Sequence, residues 1–285
     1  MNKKQILKPK YDIVFQTLFG SNKENITQSF ISDILGKPIE IIDIKTDDSV
    51  LKHYPSDKAG RLDLKTKFRD GTICQVEMQM TDEGNTIKRI LYYWARTFSN
   101  QLKSGAPYTS LNKTIGIIIT NYEVKELKGI EELNTCWKIM DTKSGKKVLT
   151  DDLEFYILEL SKVEKALQKD KHNRLAGWLA FLDNPYTERV EEIMKENEEV
   201  KKAQTVLNEM SEDEILQRWA ELKEKWEHDE VSAREYYKET GLKEGREQGR
   251  EEKQKEIAKK MKYKKMDIQE IIEITGLTKE EIEKL

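Results

Sequence analysis

Two cysteines and three histidines in 285 residues leave little material for soft-metal chemistry. Cys74 and Cys136 stand alone with no C-x-x-C spacing, and His53, His172 and His228 lie far apart, so neither a disulfide framework nor a zinc site is expected. No apolar run approaches the length needed to span a bilayer. The opening MNKKQILKPK has no apolar h-region of a signal peptide, and a reducing cytoplasm is the expected home. Gly-rich phosphate loops of the G-x-x-x-x-G-K or G-x-G-x-x-G type are missing, as are Ser or Cys nucleophile signatures. The net charge of −3 gives no general attraction to phosphate, so any nucleic-acid contact must be local. Hydrophobic residues are 37% and charged residues 36%, which reads as a globular part diluted by a solvated helical part.

The most informative stretch is Arg61 to Met80, RLDLKTKFRDGTICQVEMQM. Leu62, Leu64 and Phe68 alternate with Asp63, Lys65 and Lys67. Beyond an Arg-Asp-Gly turn, Cys74, Val76, Met78 and Met80 alternate with Gln75, Glu77 and Gln79. This period of two predicts a hairpin with one apolar and one polar face. A two-residue Asp70-Gly71 turn would set Asp63 opposite Met78, on the wrong face. A three-residue Arg69-Asp70-Gly71 loop, with Gly71 left-handed as a bulge, pairs Phe68 with Thr72 and Asp63 with Glu77. Only that register gathers the apolar positions on one side and the acids on the other. Facing carboxylates, roughly 5 Å apart at Cβ, repel unless a cation lies between them. A hard divalent ion such as Mg²⁺ suits such a pair, and a solvated polar strand face is the competing reading.

Around the hairpin the chain reads as mixed α/β. Asp12 to Leu35 has helical spacing, broken near Gly20-Ser21-Asn22, and Ile39 to Thr46 reads as a strand. Thr86 to Lys103 predicts an amphipathic helix with Ile87, Leu91, Trp94, Ala95, Phe98 and Leu102 as its buried stripe. Thr114 to Asn121 suits a central strand, and Cys136 to Met140 and Leu153 to Leu160 suggest two more. No Asp or Glu occurs between Gly84 and Tyr122, whereas Lys88, Arg89, Arg96, Lys103 and Lys113 do. These cations either hold a phosphate backbone, with Tyr92 stacking a base, or neutralise the acidic face of the sheet.

From Ser161 onward the pattern is helical. Gly241, Gly245 and Gly249 recur every four residues, as a charged linker or as a helix face open to close approach. Ile257 to Leu285 reads as a small helical unit in which Thr278 and Glu281 form a capping box. The expected domains are 1–185, a charged helical extension at 186–256, and the unit at 257–285. Self-association through the C-terminal helices is expected, because so acidic a helix reads DNA poorly.

The segments KYDIVFQTLFG, RLDLK, QVEMQ, RILYYWARTFSNQL, LEFYILEL and GLKEGREQGREE, with ITGLTKEEIEKL, together resemble the recombination-promoting nucleases, a transposase-like family of the PD-(D/E)XK nuclease superfamily. The likeness runs along nearly the whole chain. It implies a restriction-endonuclease-like core, a mixed sheet flanked by helices, with a charged helical C-terminal extension. It implies an endonuclease acting on DNA with Mg²⁺ or Mn²⁺, linked to recombination or mobile elements. By position Asp63 and Glu77 would bind the metal, with the Met78 carbonyl as a third ligand. Gln79 stands where the superfamily usually has Lys, and Lys65 could supply the missing cation. Asp12 is a candidate further acid or the N-cap of the first helix. Lys65, Arg89, Tyr92 and Arg96 are the candidate DNA contacts. A catalytically weak nuclease fold that binds DNA or protein and oligomerises by its tail is the alternative. A transposase of the RNase H type needs a different acid triad, which the sequence lacks.

Overall fold

The computed structural model describes residues 7–21, 23–46, 64–213, 235, 238–243, 245–247, 249–250 and 252–285. The chain forms two compact units, Met1–Lys223 and Glu224–Leu285.

The first unit is built on a six-stranded mixed sheet. In chain order come helices α1 (Asp12–Gly20) and α2 (Ile26–Leu35), then strands β1 (Ile41–Lys45), β2 (Leu64–Phe68) and β3 (Ile73–Gln79). Helix α3 (Thr86–Ser99) connects β3 to β4 (Thr114–Thr120), followed by β5 (Asn134–Trp137) and β6 (Leu153–Glu159). Helices α4 (Val163–Lys169), α5 (Arg174–Asp183), α6 (Glu188–Glu196) and α7 (Glu198–Met210) complete the unit. The spatial order is β1-β2-β3-β4-β6-β5. The central β3, β4 and β6 run parallel, and the outer pairs are antiparallel. This is the α/β core the sequence led us to expect.

The hairpin takes the three-residue loop. Phe68 N–H donates to the Thr72 carbonyl at 2.8 Å, and Leu64 pairs with Val76, Lys65 with Gln75 and Thr66 with Cys74. Gly71 sits at φ +91°, a conformation that a Cβ makes costly. The Asp70 carboxylate accepts from Thr72 N–H at 2.8 Å and closes the turn.

On one face of the sheet lie Leu64, Phe68, Cys74, Val76, Met78, Ile115, Ile117, Ile119 and Leu158, packed in one core with α1, α2, α5, α6 and α7. Phe15, Phe19, Phe30 and Trp178 form a chain of aromatic contacts there. The charged stretch after Thr187 covers this core, since Val190, Val200, Ala203, Val206 and Leu207 are buried. Thr187 and Asn197 cap α6 and α7 by accepting from Val190 N–H and Val200 N–H. Every residue of β4 is buried, as its uninterrupted apolar run implied.

The opposite face carries Ile118, Phe155 and Ile157, and α3 lies over it. The stripe of α3 that is buried is Thr86, Ile90, Tyr93 and Thr97. Leu91, Tyr92 and Ala95 are exposed instead, so the helix is rotated relative to the stripe expected from hydrophobicity. The cause is at the sheet: Gly116 leaves room for Ile90, and Glu77 of β3 draws Arg89 inward, with the Tyr93 ring beside its guanidinium. A Cβ on Gly116 would meet the Phe155 ring at 3.0 Å and Ile90 Cγ1 at 3.4 Å.

In the second unit, residues 252–263 are helical and precede helices Ile268–Thr275 and Lys279–Glu283. Ala258, Ile271, Leu277 and Ile282 form its core. Thr278 and Glu281 make the expected capping box. Among the described residues nothing lies within 4 Å of a Cβ built on Gly241, Gly245 or Gly249. No helix of the described residues is long and apolar enough to cross a membrane.

Candidate active site

β3 places Gln75, Glu77 and Gln79 on the face that α3 covers. The polar face of the hairpin is therefore shielded from water on β3, where Gln75 is 2% and Glu77 3% exposed, and stays open at Lys67 on β2. A carboxylate so far from water needs strong donors. Arg89 of α3 donates Nε–H to Glu77 Oε1 at 2.6 Å, and the Gln79 amide donates Nε2–H to the same oxygen at 2.7 Å. The Gln79 amide also reaches the Met78 carbonyl at 3.2 Å. Glu77, Gln79 and the Met78 carbonyl thus converge at the carboxyl end of a parallel strand, where open α/β sheets place their ligands.

Arg89 is held by opposing effects. Burial disfavours its charge, and the Glu77 carboxylate outweighs burial through charge and hydrogen bonding, so its pKa lies above the ordinary value. Its guanidinium carbon sits 5.4 Å from the Tyr93 ring centroid. Tyr93 is pushed up first by burial, with Arg89 opposing and Glu77 adding to the shift. Tyr122 is also raised by burial, and its hydroxyl shares a 2.8 Å hydrogen bond with Thr86 Oγ1 at the start of α3. The loop bearing Tyr122 is fastened by buried Glu159, which accepts from Val124 N–H at 2.7 Å and pairs with Lys162.

Asp63 lies outside the described residues. Asp12 is the first residue of α1, with Tyr11 in the cap position, and its side chain is not among those described. Lys65 stands on β2 opposite Gln75, on the Glu77 face. Burial first, and then Lys45, hold its pKa down, with Asp43 opposing. Tyr92 is 61% exposed and Arg96 is exposed on the outer side of α3. Of the candidate DNA contacts on α3, Arg89 alone is turned toward the sheet, where it pairs with the buried Glu77 carboxylate. Tyr93 and Tyr122 were missed. Arg89 and Tyr93 are four residues apart, hence on one helix face, which was the available signal. Nothing local marks Tyr122. Among the described residues no group of three or more His, Cys, Asp or Glu is placed to hold a metal.

The sequence model of the PD-(D/E)XK nuclease family transposases matches residues 9–237. The chain belongs to this family. PD-(D/E)XK proteins are generally nucleases, which implies a DNA substrate, and they typically use divalent metals. The match takes in the whole sheet, α1 to α7, and the hairpin with its Glu77-Met78-Gln79 triplet. No curated protein and no solved structure matches the chain.

Proposed function

We propose that this PD-(D/E)XK protein is a Mg²⁺-dependent DNA endonuclease, with Mn²⁺ as the natural substitute, that hydrolyses phosphodiester bonds in recombination or mobile-element processes. The observation that carries this reading is the buried Glu77 carboxylate flanked by the Met78 carbonyl and the Gln79 amide at the end of β3. The described pairs Leu64–Val76 and Lys65–Gln75 follow the register that the sequence led us to expect, and Asp63, which lies outside the described residues, is the partner that register expects for Glu77. The donor set of two carboxylates and a carbonyl is all hard oxygen, which fits Mg²⁺ or Mn²⁺ and not a thiophilic ion.

When bound, the ion supplies Lewis acidity toward a phosphate oxygen and lowers the pKa of a water. Asp63, Glu77 and the Met78 carbonyl would hold it. Gln79 orients the attacking water by hydrogen bonds without adding charge. Lys65 is the cation that stands in for the usual lysine, and Asp12 is a candidate further acid. Arg96 and exposed Tyr92 engage the DNA strand along α3, by charge and by stacking.

The test is cleavage of supercoiled plasmid with Mg²⁺. Wild type should nick or linearise it, and Asp63→Ala and Glu77→Gln should not. Equal cleavage by all three removes the metal site. One observation favours a second reading, a weak or inactive nuclease fold that binds DNA or protein. Gln79 replaces Lys, and both Gln79 and Arg89 are already bonded to Glu77 Oε1. Plasmid binding without cleavage by any of the proteins would select it. Self-association through the tail is part of either reading. Light scattering should give a lower oligomeric state for a chain truncated at Gly241, and an unchanged state discards the idea.

A further inference from the structure

We propose that Arg89 is a resident counter-ion that a divalent cation must displace from Glu77, so that it sets metal affinity and couples metal binding to DNA. The inference rests on the reading of Glu77 as a metal ligand.

The Glu77 side chain is 5% exposed and Arg89 donates to it at 2.6 Å, with the Gln79 amide on the same oxygen. A buried carboxylate that keeps its charge requires a positive partner, and in the protein without metal the guanidinium fills that role. A doubly charged ion on the same carboxylate changes the balance. The guanidinium then faces a like charge at close range in a medium of low dielectric, where repulsion is strong. Gln79 is neutral and can remain.

Arg89 has somewhere to go. Its side chain is 28% exposed, and it lies across the Tyr93 ring, a surface along which a guanidinium can move while keeping a cation–π contact. Lys88, Tyr92 and Arg96 are exposed on the same helix. A guanidinium released there meets phosphate with bidentate donors. The ion and the phosphodiester then favour one another, each removing the other's penalty. Metal alone binds weakly, and metal with DNA binds well.

The experiment is calorimetric titration of Mn²⁺ into full-length wild type, Arg89→Gln, Arg89→Lys and Glu77→Gln, without DNA. Arg89→Gln should bind Mn²⁺ about tenfold or more tighter than wild type, because the competing charge is gone. Arg89→Lys should stay near wild type, and Glu77→Gln should lose binding. A merely structural arginine would give the opposite sign, so equal or weaker binding by Arg89→Gln overturns the inference while loss in Glu77→Gln still upholds the metal site. Unchanged binding in Glu77→Gln overturns both. Repeating the titration with Ca²⁺ and a short duplex should tighten binding to wild type more than to Arg89→Gln. An equal gain in the two proteins contradicts the coupling.

Discussion

Adding a single methyl group at Gly116 tests how closely α3 must lie on the sheet. Gly116 is not in a left-handed conformation, so Ala there meets no backbone penalty. Its Cβ would stand 3.0 and 3.2 Å from two carbons of the Phe155 ring and 3.4 Å from Ile90 Cγ1. Two neighbours must yield, one an aromatic ring in the core and one on α3. Overpacking of this kind costs about 1–3 kcal/mol. Restricting the unfolded chain returns about 0.4–1 kcal/mol. Gly116→Ala should therefore lose about 0.5–2 kcal/mol, and Val more, by the larger volume. At a sensitivity of about 2–4 °C per kcal/mol for chains of this size, the melting temperature falls by a few degrees.

The same substitution should reach the site, because Ile90 is the neighbour of Arg89. If α3 moves outward to admit the methyl, the guanidinium is drawn from Glu77. Gly116→Ala should thus lose stability and also change Mn²⁺ affinity in the direction of Arg89→Gln. Denaturant melts give the first quantity and calorimetry the second. Ile90→Ala, which removes the obstructing Cγ1, should cost less stability in the Gly116→Ala background than in wild type, with a coupling of about 0.5 kcal/mol or more. A Gly116→Ala protein as stable as wild type would refute the close approach of α3.

Gly71→Ala should cost about 1–2 kcal/mol, since φ is +91° and its Cβ would stand 2.7 Å from Asn112 Oδ1; an unchanged denaturation midpoint would contradict the three-residue loop. Cys136 is exposed and Cys74 is buried with its thiol pKa raised by desolvation, so a thiol reagent should label one cysteine in the folded protein and two after denaturation, and rapid labelling of both would be the contrary result. Glu154 is buried, which alone would raise its pKa, but Lys113 and Lys138, each 2.7 Å away, hold it below the ordinary 4.5. A carboxyl depressed in the folded state stabilises above pH 4.5 and loses that contribution as pH falls through its folded value. The stability gap between wild type and Glu154→Gln should be full at neutral pH and close below pH 4.5, and a gap constant with pH would refute the pairing.

The parts of the fold that follow from strict alternation were legible in the sequence. The hairpin register came from requiring one apolar face, and β4 came from an apolar run that only a doubly covered strand can use. The rotation of α3 was not legible. Leu91 and Ala95 look like core by hydrophobicity, yet the surface under the helix is Glu77, Gln75 and Gly116, which favours Arg89, Tyr93 and Ile90. A hydrophobic stripe identifies the buried side of a helix only when the opposing surface is apolar throughout. Charged content alone leaves open whether α6 and α7 cover the core or pair with another chain, and their few apolar residues are all that a one-sided helix needs to join the core.

The acid-free interval from Gly84 to Tyr122 and the buried acid at Glu77 belong to one arrangement. A carboxylate sealed beneath a helix is tolerable only if that helix brings positive charge and no further negative charge. Arg89 meets the first condition and the missing Asp and Glu meet the second. The same exclusion of acids leaves the outer side of α3 with Lys88 and Arg96 exposed and unopposed by acids of their own helix. One selection of residues thus serves both sides of α3, pairing Arg89 with the Glu77 carboxylate on the inner side and leaving a cationic ridge on the outer, the ridge that the proposed function assigns to a phosphate backbone. An acid introduced at Arg96 would test this directly. Arg96→Glu should weaken duplex binding and flatten its salt dependence by about one to two counterions, while leaving Mn²⁺ affinity without DNA unchanged. A shift in that metal affinity equal to the one in Arg89→Gln would show that the two sides of the helix are not separable.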